Sequence, residues 1–311
     1  DAWKCQQEIW KQAGAEGDWL KMLSGKNGER TTQRPAVIAI GPAGENLGRV
    51  GCLVHDAGNS AGQGGFGGVW GSKNLKAVTV SGDGSVRVAD PAQVTSIRRR
   101  FKSMIGDNYF NLFGDPIILP GIEVEKKVHC HGCPQGCWRS MQKGPSGSED
   151  IRKCQLNVFY TLWDRKLHGK PTDASFKAAT LANDYGVCVM DVVFVLLWLD
   201  RCISEGILTE QQVDMPVSKM GSIEFLETFL HKLSFREGFG AVCAEGALRA
   251  SEQFGDQSRE ITSGFLTQTG RAIAYGPKVF VPSALIYATE PRPFITELHE
   301  VCERSEERRV G

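Results

Sequence analysis

The sequence predicts an α+β fold in which a β-rich first region is followed by a mainly helical one. Short β-branched runs separated by glycine clusters fill the chain up to about residue 82. From Pro91 onward apolar residues recur at helical spacing instead. Among the ten cysteines only Cys130, Cys133 and Cys137 stand close together, which points to metal or redox chemistry rather than a disulfide framework.

The elements follow in order. Ala2 to Ala13 reads as an amphipathic helix, and Ala36 to Ile40, Val50 to Val54 and Ala77 to Val80 read as strands. Asp90 and Pro91 are an N-cap and first-turn pair for a helix carrying Val94, Ile97, Phe101 and Met104 on one face. Thr172 caps a second helix running towards Gly186. The apolar run from Val187 to Leu199 is interrupted by Asp191 and is shorter than the ~20 residues a bilayer span needs, so it predicts a buried helix. Two further helices are predicted over Ser222 to Leu233 and Phe239 to Phe254, the latter stopped by Gly255. The segment 128–148 reads as a glycine- and cysteine-rich loop.

At 311 residues the chain has room for about two domains of ordinary size. Its 36 basic and 36 acidic side chains cancel, so there is no global field to gather nucleic acid or an anionic membrane. With 41% hydrophobic and 23% charged residues, the composition is that of a packed protein rather than a disordered one. Without a secretory signal the cysteine usage predicts a reducing, cytoplasmic setting. The first residue is Asp1 rather than Met, so the beginning of the protein is expected to be missing.

The strongest chemical signal is Cys130-x2-Cys133-x3-Cys137, with Gly132, Pro134 and Gly136 setting the turns. Three thiolates so close in sequence can wrap the faces of one compact metal centre. An iron-sulfur cluster is the leading reading; zinc more often pairs two Cys-x2-Cys knuckles, and inert cysteines in a glycine-rich loop are the bland alternative. A [4Fe-4S] cluster normally takes four ligands, so the fourth is sought elsewhere.

A second signal is Ala61-Gly62-Gln63-Gly64-Gly65-Phe66-Gly67-Gly68. Gly62, Gly64 and Gly67 match the dinucleotide-binding spacing, yet a strand-like run at Ala77 follows where that motif demands a helix, so a Rossmann site is rejected. Gly71-Ser72-Lys73 has serine and lysine in the wrong order for a phosphate loop. The segment is either a cradle for a phosphorylated cofactor or a glycine-rich bend between strands.

Ile40-Gly-Pro-Ala-Gly-Glu-Asn46, the glycines from Gly62 to Gly67, Gly71-Ser-Lys-Asn-Leu-Lys-Ala77 and the cysteine run, in that order, resemble the aldehyde ferredoxin oxidoreductase family. The similarity continues through Asn183-Asp-Tyr-Gly186-Val and Arg236-Glu-Gly-Phe-Gly240. The resemblance implies tungsten or molybdenum held by two pterin dithiolenes, with a [4Fe-4S] cluster relaying electrons to ferredoxin or other electron-transfer subunits. It implies pterin contacts from Asn59, Ser60, Gly62, Gly64 and Gly65 on one wall, with a backbone carbonyl at Ser60 on a bridging magnesium. Asn183, Gly186 and Cys188 form the other wall. The metal ligands it implies are Cys130, Cys133 and Cys137.

It also implies domains: 1–84 as the remainder of a β-rich pterin-binding domain, 85–240 as a helical domain carrying the cluster cysteines, and 241–303 as the start of a second helical domain. The chain is therefore expected to be truncated, with the fourth cluster ligand beyond its end; Cys188 is the rival inside it. Residues 304–311 are expected to be a non-native tail.

Departures from the family pattern bear on chemistry. Asn59 and Gln63 stand where aldehyde oxidases of the family carry arginine, Cys188 where they carry an acid, and the segment from Cys154 to Tyr160 lacks their glutamate. Lys153-Cys154 and Tyr160-Thr161 resemble instead the branch containing the class II benzoyl-CoA reductase catalytic subunit. No catalytic acid or base is assigned, and His299 is out of register with the family's histidine. The expected function is aldehyde oxidation to a carboxylic acid, with reduction of an aromatic acyl-thioester or a noncatalytic electron-relay module as the alternatives. A homo-oligomer is compatible with all three.

Overall fold

The run Ala36–Ile40 forms strand β1 in the interior of a four-stranded antiparallel sheet of order β3-β2-β1-β4, with β2 at Leu53–His55, β3 at Asn59–Ala61 and β4 at Ala77–Val80. In this computed structural model residues 1–12, 35–56, 59–62, 64–80, 87–105, 122–128, 139–152, 159–266 and 270 are described. Register pairs Ala39 with Val54 on one side and Val37 with Thr79 on the other. The sequence placed the second strand at Val50 to Val54; residues 50–52 instead leave the sheet to meet the helical part.

Two short helices cross the end of this sheet, α2 at Pro42–Glu45 and α3 at Phe66–Gly71. A Cβ on Gly71 would stand 1.9 Å from the Gly44 carbonyl oxygen, so the backbones touch at a distance only glycine allows. The glycines do open a helix here, contrary to the ground on which the dinucleotide motif was dismissed. The dismissal rests on the topology instead: α3 leads to the antiparallel strand β4 rather than a parallel one.

Helix α1 (Ala2–Gln12) is amphipathic as predicted. Its Trp10 donates to the Pro35 carbonyl at 2.9 Å and shares an apolar cluster with Val37, Val128, Met141 and Ile151. That cluster joins the first sheet to a second, which sequence reading missed; only its middle strand falls within the expected loop at 128–148. Strands β5 (Glu123–Lys127), β6 (Ser140–Lys143) and β7 (Glu149–Arg152) form it in that order, all antiparallel. Two glutamates and two lysines surround the lone β-branched Val124 in β5, which hid it from a search for β-branched runs.

Asp90 caps α4 (Pro91–Ile105) by accepting from the Gln93 N–H at 2.8 Å. The helical part then runs through α5 (Thr161–His168), α6 (Asp173–Tyr185), α7 (Val189–Ser204), α8 (Glu210–Val213) and α9 (Ile223–Phe235). Thr172 and Ser222 cap α6 and α9 as their side chains predict. The long helix expected over Phe239 to Phe254 is broken into α10 (Gly240–Cys243) and α11 (Ala247–Ser251) at Gly246, whose φ of 81° no helix accepts. Gly255 does not end the helical run; it begins α12 (Gly255–Ser263).

The core lies among these helices, with Trp198 stacked on Phe239 at 6.2 Å and Phe225 on Phe229 at 5.7 Å. Helix α7 is buried on its Val192, Val195, Leu196 and Leu199 face. No helix among the described residues is long and apolar enough to cross a membrane.

Candidate functional site

The loop that ends α6 meets the first sheet through its backbone. Gly186, with φ of 66°, closes the helix as a left-handed cap, and its N–H bonds the Asn183 carbonyl at 3.1 Å. The chain then lies antiparallel to residues 50–52: the Cys52 N–H bonds the Gly186 carbonyl and the Cys188 N–H bonds the Val50 carbonyl, both at 2.8 Å. A Cβ on Gly41 would stand 2.3 Å from the Tyr185 carbonyl oxygen, so glycine at 41 and 186 permits the approach.

This docking carries Cys188 to the predicted cradle. A Cβ on Gly62 would stand 2.9 Å from the Cys188 sulfur. Asn59 and Ser60 lie on β3, an edge strand, half-buried and exposed respectively. An edge strand turns part of its carbonyls away from its neighbour, the arrangement a hard cation can use. Gly64 and Gly65 continue into the wall of a cleft of about 670 Å³. Gly65 has φ of 64° and lies against the Arg49 carbonyl.

The structure thus brings Gly62 and Cys188 together and puts Gly64 and Gly65 on an adjoining cleft wall. Asn183 is half-buried one turn away and is not among the residues that line that cleft. Cys130, Cys133 and Cys137 fall outside the described residues, as do Gln63, residues 153–158 and His299. Among the described residues no group of three or more His, Cys, Asp and Glu side chains is placed to hold a metal ion.

Across the cleft, Glu245 accepts from Arg49 Nε at 2.9 Å and from Arg236 Nη2 at 2.7 Å. Burial disfavours the Glu245 charge, but these two guanidiniums hold its carboxyl below the usual range. Arg49 also donates its backbone N–H to the Ala244 carbonyl at 2.8 Å, so one residue clamps the first region to the helical one twice. Sequence reading missed Arg49 and Glu245, although Arg236 opens a motif it singled out.

Beneath the cradle, Cys52 and Cys188 share a small apolar cluster with Ala2 and Val54. Burial pushes the Cys52 thiol up to about 12, and the charge of Asp191 adds to the effect, so Cys52 stays a protonated, inert side chain. Asp184, within the Asn183 turn, is raised to about 6 by burial and by the nearby Asp150, partly offset by Lys4. Tyr160, named in the sequence only for the Tyr160-Thr161 pair, is fully buried at φ of 69°; it accepts from the Gly221 N–H at 2.7 Å and donates to the Ser222 carbonyl at 2.9 Å. It anchors the end of the segment where a family glutamate was sought.

The family model described as aldehyde ferredoxin oxidoreductase, N-terminal domain, matches residues 7–82, and the one described as aldehyde ferredoxin oxidoreductase, domains 2 & 3, matches residues 118–297. Among relatives, the tungsten-containing aldehyde ferredoxin oxidoreductase of Pyrococcus horikoshii is 26% identical over 92% of this chain and 51% of its own length. That of Pyrococcus furiosus is 24% identical over 84% of this chain and 48% of its own. The chain spans about half the length of the curated relatives it matches. In fold it is similar to a chain of the active site complex BamBC of benzoyl coenzyme A reductase, with a TM-score of 0.60 at 20% identity, over 78% of this chain and 43% of that one. With a family model covering residues 118–297, more than half of its length, the chain belongs to the aldehyde ferredoxin oxidoreductase family.

Proposed function

We propose that this chain is part of a tungsten or molybdenum bis-pterin oxidoreductase that oxidises an aldehyde, with water, to a carboxylic acid and releases two electrons and two protons. The observation that carries the reading is the meeting of Gly62 with Cys188, which brings the glycine cradle against the end of the Asn183 turn. These residues fit the cofactor: side-chain-free backbone at Gly62, Gly64 and Gly65 lets a flat, phosphorylated ligand approach closely. When bound, the pterin-held metal would supply the oxygen-atom and electron chemistry.

The chain's own residues position and enclose. Asn59, Ser60 and the glycines form one wall, with a Ser60 backbone carbonyl suited to magnesium on the pterin phosphates. Asn183, Gly186 and Cys188 form the other, held to it by the Cys52 and Val50 backbone bonds. Cys130, Cys133 and Cys137 would hold a [4Fe-4S] cluster, with the fourth ligand elsewhere in the protein; thiolates suit iron as carbonyls suit magnesium. In this reading residues 1–84, 85–240 and 241–303 belong to three successive domains. Electrons leave to ferredoxin or a comparable subunit in a reducing, cytoplasmic setting.

A second reading is electron delivery to an aromatic acyl-thioester within a larger complex. It is favoured by Cys188, which presents a thiol at the cradle where aldehyde oxidases of the family carry an acid. The full-length protein, purified without oxygen, separates the two. Aldehyde-dependent reduction of ferredoxin or a viologen dye supports the first; thioester-dependent reoxidation of a reduced dye, without aldehyde activity, supports the second.

A further inference from the structure

The cleft beside the glycine cradle has a chemistry of its own. Gly64 and Gly65 bound it on the side of the first region, while Phe194, Leu248 and Leu266 give it apolar surface from the helical part. Phe194 is fixed there by stacking on Phe265, with ring centres 5.4 Å apart and planes 16° from parallel. At about 670 Å³ the cleft has the size of a small-molecule site.

Its charges are unequal. Three arginines, Arg49, Arg236 and Arg249, line it together with two acids, Glu245 and Asp191. Glu245 is bridged by Arg49 at 2.9 Å and by Arg236 at 2.7 Å, which commits those three side chains to one another. Asp191 is half-buried in the first turn of α7. Arg249 stands apart. It is exposed on α11, its carbonyl accepts from Gln253 Nε2 at 3.3 Å, and its guanidinium has no hydrogen-bond or ion-pair partner among the described residues. Where the chain restarts as α11 after the Gly246 break, Leu248 and Arg249 therefore offer the cleft an apolar residue beside an unspent cation.

Such a lining suits a ligand with an apolar body and an anionic end. The body leaves water against Phe194, Leu248 and Leu266, and the planar N–H donors of Arg249 can meet both oxygens of a carboxylate or phosphate. We infer that this cleft is the substrate site and that Arg249 selects aldehydes carrying an anionic group remote from the reacting carbon. The reacting end lies towards Gly64 and Gly65, where the cradle continues into the cleft, and the anionic end lies on the helical side. The inference rests on the aldehyde-oxidising reading for the reaction, though not for the binding.

The test uses the full-length protein, purified without oxygen, and two aldehydes of like shape: para-carboxybenzaldehyde, an anion, and its neutral methyl ester. Arg249→Gln should lower the ratio of kcat/KM for the anion to that for the ester about tenfold, through KM rather than kcat, and Arg249→Lys should keep part of the preference. An unchanged ratio overturns the inference. Loss of pterin from Arg249→Gln also overturns it, because the guanidinium would then serve the phosphates of the cofactor. If the protein oxidises neither aldehyde, the aldehyde reading fails and binding alone decides the inference. Terephthalate, titrated calorimetrically, should then bind the wild type about tenfold more tightly than Arg249→Gln. Equal affinity, or no binding to the wild type, overturns it.

Discussion

Gly62 faces the sulfur of Cys188 so closely that a single added methyl would stand 2.9 Å from it. One residue comes from the edge of the first sheet and the other from the entry to α7, 126 positions later in the sequence. Gly62→Ala should therefore destabilise the protein by about 1–3 kcal/mol through overpacking and lower its pterin content. Cys188→Ala in the same background should recover most of the loss, and a double-mutant cycle by chemical denaturation measures the coupling. Additive effects would show that the two residues do not share this contact.

The clamp at Glu245 makes a smaller prediction. Arg49 is half exposed, so solvent screening limits its share, and Glu245→Gln should cost only about 1 kcal/mol of stability. Salt should weaken the wild type more than the variant, because only the wild type has the ion pairs to screen. Equal salt dependence in urea titrations would show that the clamp contributes nothing.

Backbone contact at Gly41 is less forgiving. Gly41→Ala places a methyl 2.3 Å from the Tyr185 carbonyl oxygen, where no rotamer can relieve the clash. A loss of roughly 3 kcal/mol or more, seen in thermal unfolding, is expected. Wild-type stability in that variant would mean the sheet and the α6 cap do not touch as described.

Asp184 gives a pH dependence. Its carboxyl titrates near 6 in the fold and near 3.9 unfolded, so the native state binds the proton more tightly. Its contribution is unfavourable above pH 6, and the penalty is relieved as pH falls from about 6 to about 4. Asp164 works in the opposite sense. Hydrogen bonds from Thr172 and Ser175 outweigh its burial and hold its carboxyl low, so its support is present above pH 4 and is lost in stronger acid. Asp184→Asn should thus stabilise the protein at pH 8 and have little effect at pH 4, whereas Asp164→Asn should destabilise it at both. Denaturation at the two pH values checks both signs.

Side-chain pattern made much of this legible. The Thr172 and Ser222 caps, the apolar face of α7 and strand β1 lie where the sequence placed them, because each depends on residues within one or two turns. The polar strand β5 and the break at Gly246 were not legible: one is held by its neighbours in the sheet, the other by a single left-handed backbone angle. The same divide holds at the site. Gly62 and Cys188 were named from motifs, but Arg49 and Glu245 meet only because the first region docks on the helices, a long-range event that no local spacing records.

The central claim is that the cradle and the Asn183 turn enclose a pterin-bound metal beside an iron-sulfur cluster. Elemental and pterin analysis of the full-length protein, purified without oxygen, tests it most directly. The account predicts tungsten or molybdenum, pterin and iron together, with iron lost and the pterin metal retained in Cys133→Ser. Iron and sulfide present without either metal and without pterin would contradict it and leave only an electron-relay module.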